Sequence, residues 1–264
     1  MALKIRDLMQ IIEKKAPLQL KEEWDQPGLE LGDPDAEIQG VMAGMDVTDR
    51  LIQEARVGGA NVLLTHHPFL FHPAQTITTG TAKGRKIRTL IQSDIAVYSV
   101  HTNLDKARNG MNEKLMELLG LSGFTNIQSE TEEGVGRIAD IAGTELMELV
   151  KRTEQVLEAK NVRFIGEANR LVHRVAVING GGADFIGEAL KAGADCIITG
   201  DTKYHEVLDA REDGIAVIDP GHFHSEWKVF RMFCEEVEQE LLKFGEIPFL
   251  YSETAEDPYN YYQA

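Results

Sequence analysis

Short apolar runs alternate with longer amphipathic stretches along most of this chain. Residues 41–46, 62–65, 95–100, 175–178, 197–199 and 215–218 are runs of strand length, and Gly or Gly-Ala closes several of the stretches between them. This rhythm predicts an α/β fold. The clearest unit is a strand over 41–46, then a helix with Thr48 as N-cap and Leu51, Ile52 and Ala55 on one face. Gly58-Gly59 stops that helix, and a second strand runs to Thr65. A helix is expected from Met111 to Leu121, and a long amphipathic helix from Glu226 to Leu242 with Val229, Phe230, Phe233, Val237 and Leu241 on one face. The acidic, aromatic end from Ser252 to Ala264 has no period and reads as a loosely docked tail.

The pattern repeats. Glu54-Ala55, Gly59-Ala60-Asn61 and Thr65 recur as Glu188-Ala189, Gly193-Ala194-Asp195 and Thr199, at a constant offset of 134. Ile95-Ala96-Val97 before His101-x-x-x-Asp105 is echoed by Ile215-Ala216-Val217 before His222-x-x-x-Glu226. Two related α/β lobes with mixed sheets follow. The first takes residues 1–124 plus 226–264, and the second takes 125–225, with the turn formers Ser122-Gly123-Phe124-Thr125-Asn126 at the boundary.

At 264 residues the chain exceeds what one core usually serves. Its 27 Lys and Arg against 43 Asp and Glu give a formal charge of −16, which disfavours binding to nucleic acid and to anionic membranes. The residues from Met1 to Ile12 read as the start of a helix rather than as a signal peptide, no apolar run reaches membrane-spanning length, and the two cysteines, Cys196 and Cys234, are in no paired motif. A cytoplasmic, reduced protein is expected.

Three apolar runs end in metal-ligand chemistry: 62–65 into His66-His67, 95–100 into His101-x-x-x-Asp105, and 215–218 into His222-x-x-x-Glu226. In α/β proteins the carboxyl ends of neighbouring strands converge, so side chains far apart in sequence can meet there. Imidazole suits Zn, Fe, Mn, Co or Ni, and a carboxylate can bridge two ions about 3.5–4 Å apart. Taken singly, each junction also has an ordinary reading. His66-His67 can cap a strand, and His222 with Glu226 can be a solvated helix start. Asp201-x-x-x-His205 is a fourth junction that could line the crevice as acid, base or phosphate contact, with an ordinary turn and N-cap at Gly200-Asp201 slightly favoured. Gly180-Gly181-Gly182 reads as a tight strand-to-helix turn rather than an anion cradle. Trp24 is expected in the core and Asp25 as a cap, while His72, His173 and His224 show no partner pattern.

Trp24-Asp25-x-x-Gly28-Leu29, Thr65-His66-His67-Pro68, His101-Thr102-Asn103-Leu104-Asp105, Thr199-Gly200-Asp201-x-Lys203-Tyr204-His205 and Gly221-His222-x-x-Ser225-Glu226 together resemble the Nif-three-like family of GTP cyclohydrolase I type 2 homologs, in its short form without a central insertion. The resemblance implies a dinuclear site in the cleft between the lobes, with His66, His67, Asp105, His222 and Glu226 as ligands for two divalent ions per subunit. It also implies a toroidal homohexamer. Two divalent ions less two carboxylates leave a charge of about +2, which favours a small anionic substrate such as a nucleotide or phosphate ester. The function implied is metal-dependent hydrolysis, with guanine ring opening as one form and with His101 or His205 moving protons. The alternative is a noncatalytic metal-binding scaffold or interaction protein.

Overall fold

The computed structural model describes residues 2–128 and 133–262. In chain order its elements are α1 (Ile5–Lys15), β1 (Gly28–Leu31), β2 (Val41–Gly44), α2 (Asp49–Gly58), β3 (Val62–Thr65), α3 (Ala82–Gln92), β4 (Ala96–Ser99), α4 (Thr102–Lys106), α5 (Met111–Leu118), β5 (Thr125–Asn126), β6 (Arg137–Glu145), α6 (Leu146–Leu157), β7 (Arg163–Ile165), β8 (Leu171–Val177), α7 (Ile186–Lys191), β9 (Cys196–Ile198), α8 (Tyr204–Glu212), β10 (Ala216–Asp219), α9 (His222–Leu242) and β11 (Phe249–Tyr251). They form two compact units, Met1–Leu104 with Phe230–Glu256, and Asp105–Val229 with Asp257–Ala264. Among the described residues, no helix is long and apolar enough to cross a membrane.

The first unit is built on a sheet of order β1-β4-β3-β2-β11, parallel except for β1. Every residue of β2, β3 and β4 is buried, as expected for parallel strands covered on both faces. Leu51, Ile52 and Ala55 of α2 pack with Ile87 and Leu90 of α3 against Met42, Leu63 and Val97 of the sheet. Thr48 caps α2 by accepting from the Leu51 amide at 3.0 Å, and Gly59 ends it in the left-handed conformation. The start of the tail, Ser252 to Thr254, is held in place by what precedes it. Phe249–Tyr251 adds a parallel strand beside β2. Glu54 then accepts from the Ser252 and Thr254 hydroxyls and from the Glu253 and Thr254 amides.

The second unit has a sheet of order β5-β6-β8-β9-β10-β7, in which β8, β9 and β10 are parallel and the flanking strands antiparallel. Ile138, Ala176, Ile197 and Val217 of the sheet share a core with Ile186 and Ala189 of α7 and Ala210 of α8. The repeat is thus one of topology: three parallel strands with helical crossovers, and an antiparallel strand beside the third. Its details match as well. Asn61 accepts from the Gln39 amide at 2.8 Å, and Asp195 accepts from the His173 amide at 2.7 Å, both pairs related by the same offset of 134.

Arg137, at the start of β6, is almost fully buried. Nε and Nη2 donate to Glu113 of α5 at 3.0 and 2.8 Å, and Nη1 donates to Asn126 and to the Gly134 and Gly136 carbonyls. Burial of a guanidinium is tolerable only with this degree of pairing.

Candidate metal centre

In the first unit, the end of β3 delivers His66 and His67. His66 is fully buried, and its Nδ1 lies 2.7 Å from the Val100 carbonyl. A carbonyl only accepts, so Nδ1 carries the proton and Nε2 the lone pair. His67 places Nδ1 3.0 Å from Asp46, the acid just past β2, and its amide donates to the Met45 carbonyl. His101 places Nδ1 2.9 Å from the fully buried Asp25. The ring centroids of the three histidines are 5.1 to 5.7 Å apart, and Phe230 of α9 lies against His66 at 5.5 Å. Glu30 of β1 fixes the chain beyond His67 by accepting from the Phe69 and Leu70 amides.

Asp25 also accepts from the Thr102 amide and hydroxyl at 3.2 and 2.5 Å. Burial by itself would raise its pKa. The hydrogen bonds from His101 and Thr102, with the charge of His101, prevail and lower it to about 2. Asp25 is therefore more than a local cap, because it orients a ring that lies 76 residues away in sequence. Trp24, expected in the core, is instead 60% exposed. Its backbone lies on a surface turn, and the burial falls to its neighbour Asp25.

In the second unit, α9 begins at His222, one turn earlier than the apolar pattern suggested. His222 and Glu226 are therefore both helical, on one face, with Nε2 3.0 Å from the Glu226 carboxylate. Asp201 lies 2.8 Å from His222 Nδ1, so the Asp201 junction orients this histidine rather than serving only as a turn. Asn179, at the end of β8, donates through Nδ2 to Asp105 at 2.8 Å and to Glu226 at 3.1 Å. The next residue has to be glycine. Gly180 adopts φ +60°, and a Cβ there would sit 2.1 Å from Glu226 Oε1. The glycine run is thus a tight turn, as read, and the same turn makes room for the Glu226 carboxylate and the His222 ring. His205 stands exposed on α8 with its ring edge-on to Tyr204, outside this network.

Sequence reasoning found the histidines and acids but missed what holds them: Asp25, Asp46, Asn179 and Gly180. Asp46 was legible in principle, being an acid at the carboxyl end of a parallel strand like the others. Asn179 carried no signal beyond its place ahead of the glycine run.

The fold and these side chains define a class: an α/β protein of two sheets with one topology, whose strand ends carry oriented histidines and carboxylates. The chain belongs to the Duf34/NIF3 (NGG1p interacting factor 3) family, whose model matches residues 3–258. It is 41% identical over 263 residues to a "GTP cyclohydrolase 1 type 2 homolog" of Clostridium perfringens, covering 98% of this chain and all of the relative. Among solved structures, Staphylococcus aureus protein SA1388 superposes with a TM-score of 0.91 at 28% identity, covering 99% of this chain and all of that one. Reduced HcgD from Methanocaldococcus jannaschii superposes with a TM-score of 0.83 at 29% identity, over 96% of this chain and 99% of that one.

Proposed function

We propose that this protein holds two divalent metal ions and uses them to hydrolyse a small anionic substrate. One observation carries the reading. His66, His67 and His101 each have Nδ1 on an oxygen acceptor, which fixes the ring and leaves Nε2 as the basic nitrogen, while His222 is held between two carboxylates, with Nδ1 on Asp201 and Nε2 on Glu226. This is the way metal-binding imidazoles are held. In this reading His66, His67 and Glu226, a group able to hold an ion, would supply the donors for one of the two. Asp105 and His222 complete the set of five that serves two, and His101 stays with Asp25 for proton transfer.

When bound, the ions would supply Lewis acidity, lowering the pKa of a water and polarising a substrate oxygen. The chain's own residues do the rest. Asn179 holds the Asp105 and Glu226 carboxylates in fixed rotamers. Asp25 keeps the His101 proton on Nδ1, so Nε2 accepts a proton from, or after protonation returns one to, an atom of the substrate. The relatives' name makes GTP one substrate to try, with other nucleotides and phosphate esters beside it. A subunit ring of six in the cytoplasm belongs to the same reading.

The test is metal analysis of protein purified without chelator, followed by a screen of nucleotides and phosphate esters. Turnover lost on chelation and restored by Mn, Zn, Co or Fe supports hydrolysis. A full metal complement with no turnover across the panel would instead support a metal-bound scaffold.

A further inference from the structure

Trp24 and Phe71 are 60% and 40% exposed, an uncommon placement for two large apolar rings in contact. They meet edge to face, with centroids 5.8 Å apart and planes at 80°, so together they form a corner. Both rings also lie edge-on to His101, at 6.1 and 6.2 Å, and His101 lies 5.4 and 5.7 Å from His66 and His67. The corner therefore borders the imidazole cluster within the first unit. Trp24 is placed there rather than loosely tethered. Its neighbour Asp25 is fully buried and bonded to His101 and Thr102, donates its amide to the Glu22 carbonyl, and accepts from Lys21 Nζ at 2.8 Å through its own carbonyl.

We propose that Trp24 and Phe71 are a stacking wall for the planar heteroaromatic body of the substrate, whose anionic group is drawn to the metal held beside them. The ligand class is a heteroaromatic ring carrying a phosphate, of which a nucleoside monophosphate is the simplest example. Every base offers a π-face, so a stacking wall needs no base-reading hydrogen bonds. Tryptophan supplies such a surface at low entropic cost because only two side-chain torsions are fixed. An aliphatic phosphate ester would leave both rings in water. The placement of the phosphate rests on the metal-site reading above; the wall itself does not.

The experiment is calorimetric titration of the metal-loaded full chain with adenosine and guanosine 5′-monophosphate, ribose 5-phosphate, inorganic phosphate, and the free nucleosides. The wild type, Trp24→Ala and Trp24→Phe are compared, with metal content and solution mass measured for each. Nucleotides should bind about tenfold or more tightly than ribose 5-phosphate. Trp24→Ala should erase that difference at unchanged metal content, and Trp24→Phe should keep most of it. Equal affinity for nucleotide and ribose 5-phosphate in the wild type overturns the wall. If neither ribose 5-phosphate nor phosphate binds, the metal-site reading fails separately. The nucleosides then decide the wall: Trp24-dependent binding sustains it, and no binding overturns it. A change of solution mass in Trp24→Ala makes the rings a subunit contact and also overturns it.

Discussion

Asp25 and His101 are 76 residues apart in sequence, yet the buried carboxylate of one lies 2.9 Å from Nδ1 of the other. The bond decides which ring nitrogen is left basic, so a fully buried carboxylate sets the tautomer of a histidine distant in sequence.

That bond has a pH signature. The folded pKa of Asp25, about 2, lies below its ordinary 3.8, so the ionised form is favoured by folding. The associated stability is fully present above pH 4 to 5 and is lost as pH falls toward 2, an effect on the order of 2 kcal/mol. Urea unfolding between pH 5 and pH 2.5 should show a shallower decline in Asp25→Asn than in the wild type. Parallel curves would remove Asp25 as the source.

Metal content should reach two ions per chain. His66→Ala and Glu226→Ala should each lower it without unfolding the protein, because the apolar clusters of both units lie elsewhere. Elemental analysis alongside circular dichroism checks both halves of the statement, and an undiminished complement in both variants would take these residues out of the ligand set.

Gly180→Ala should be a local lesion. The new methyl would meet the Glu226 carboxylate at 2.1 Å, and φ +60° adds strain of about 1–2 kcal/mol. The expected outcome is a sharp loss of metal affinity with only a modest fall in melting temperature. Normal affinity measured by competition with a chelating dye would show that Glu226 need not stay where it is.

Arg137→Ala should destabilise the protein by about 3–5 kcal/mol, since Glu113 would be left as a buried charge without its partner. Replacing both, as Arg137→Met with Glu113→Leu, should recover part of the loss in denaturant titration. A double variant no better than the single one would mean that the arginine's bonds to the Asn126 side chain and the Gly134 and Gly136 carbonyls, rather than the ion pair, dominate.

Light scattering should give a mass of about six subunits in the micromolar range, with the charge of −16 keeping separate rings apart. A stable monomer there would end the hexamer proposal.

The sequence by itself determined the local and periodic features. The buried parallel strands, the Thr48 cap, the Gly59 stop and the offset of 134 follow from side-chain period and backbone preference, which act over a few residues and survive in any context. That His66 and His67 follow β3, and that Asp105, His222 and Glu226 come soon after β4 and β10, was legible for the same reason. What only the tertiary structure decided was who touches whom. Exposed Trp24 beside buried Asp25, Asn179 between Asp105 and Glu226, Asp201 on His222, and β11 beside β2 all depend on partners 21 to more than 200 residues away. Composition is nearly silent about such pairs. A buried carboxylate is stable only where a distant donor meets it, and the chain's path through both sheets, rather than any residue's own preference, sets where that donor lies.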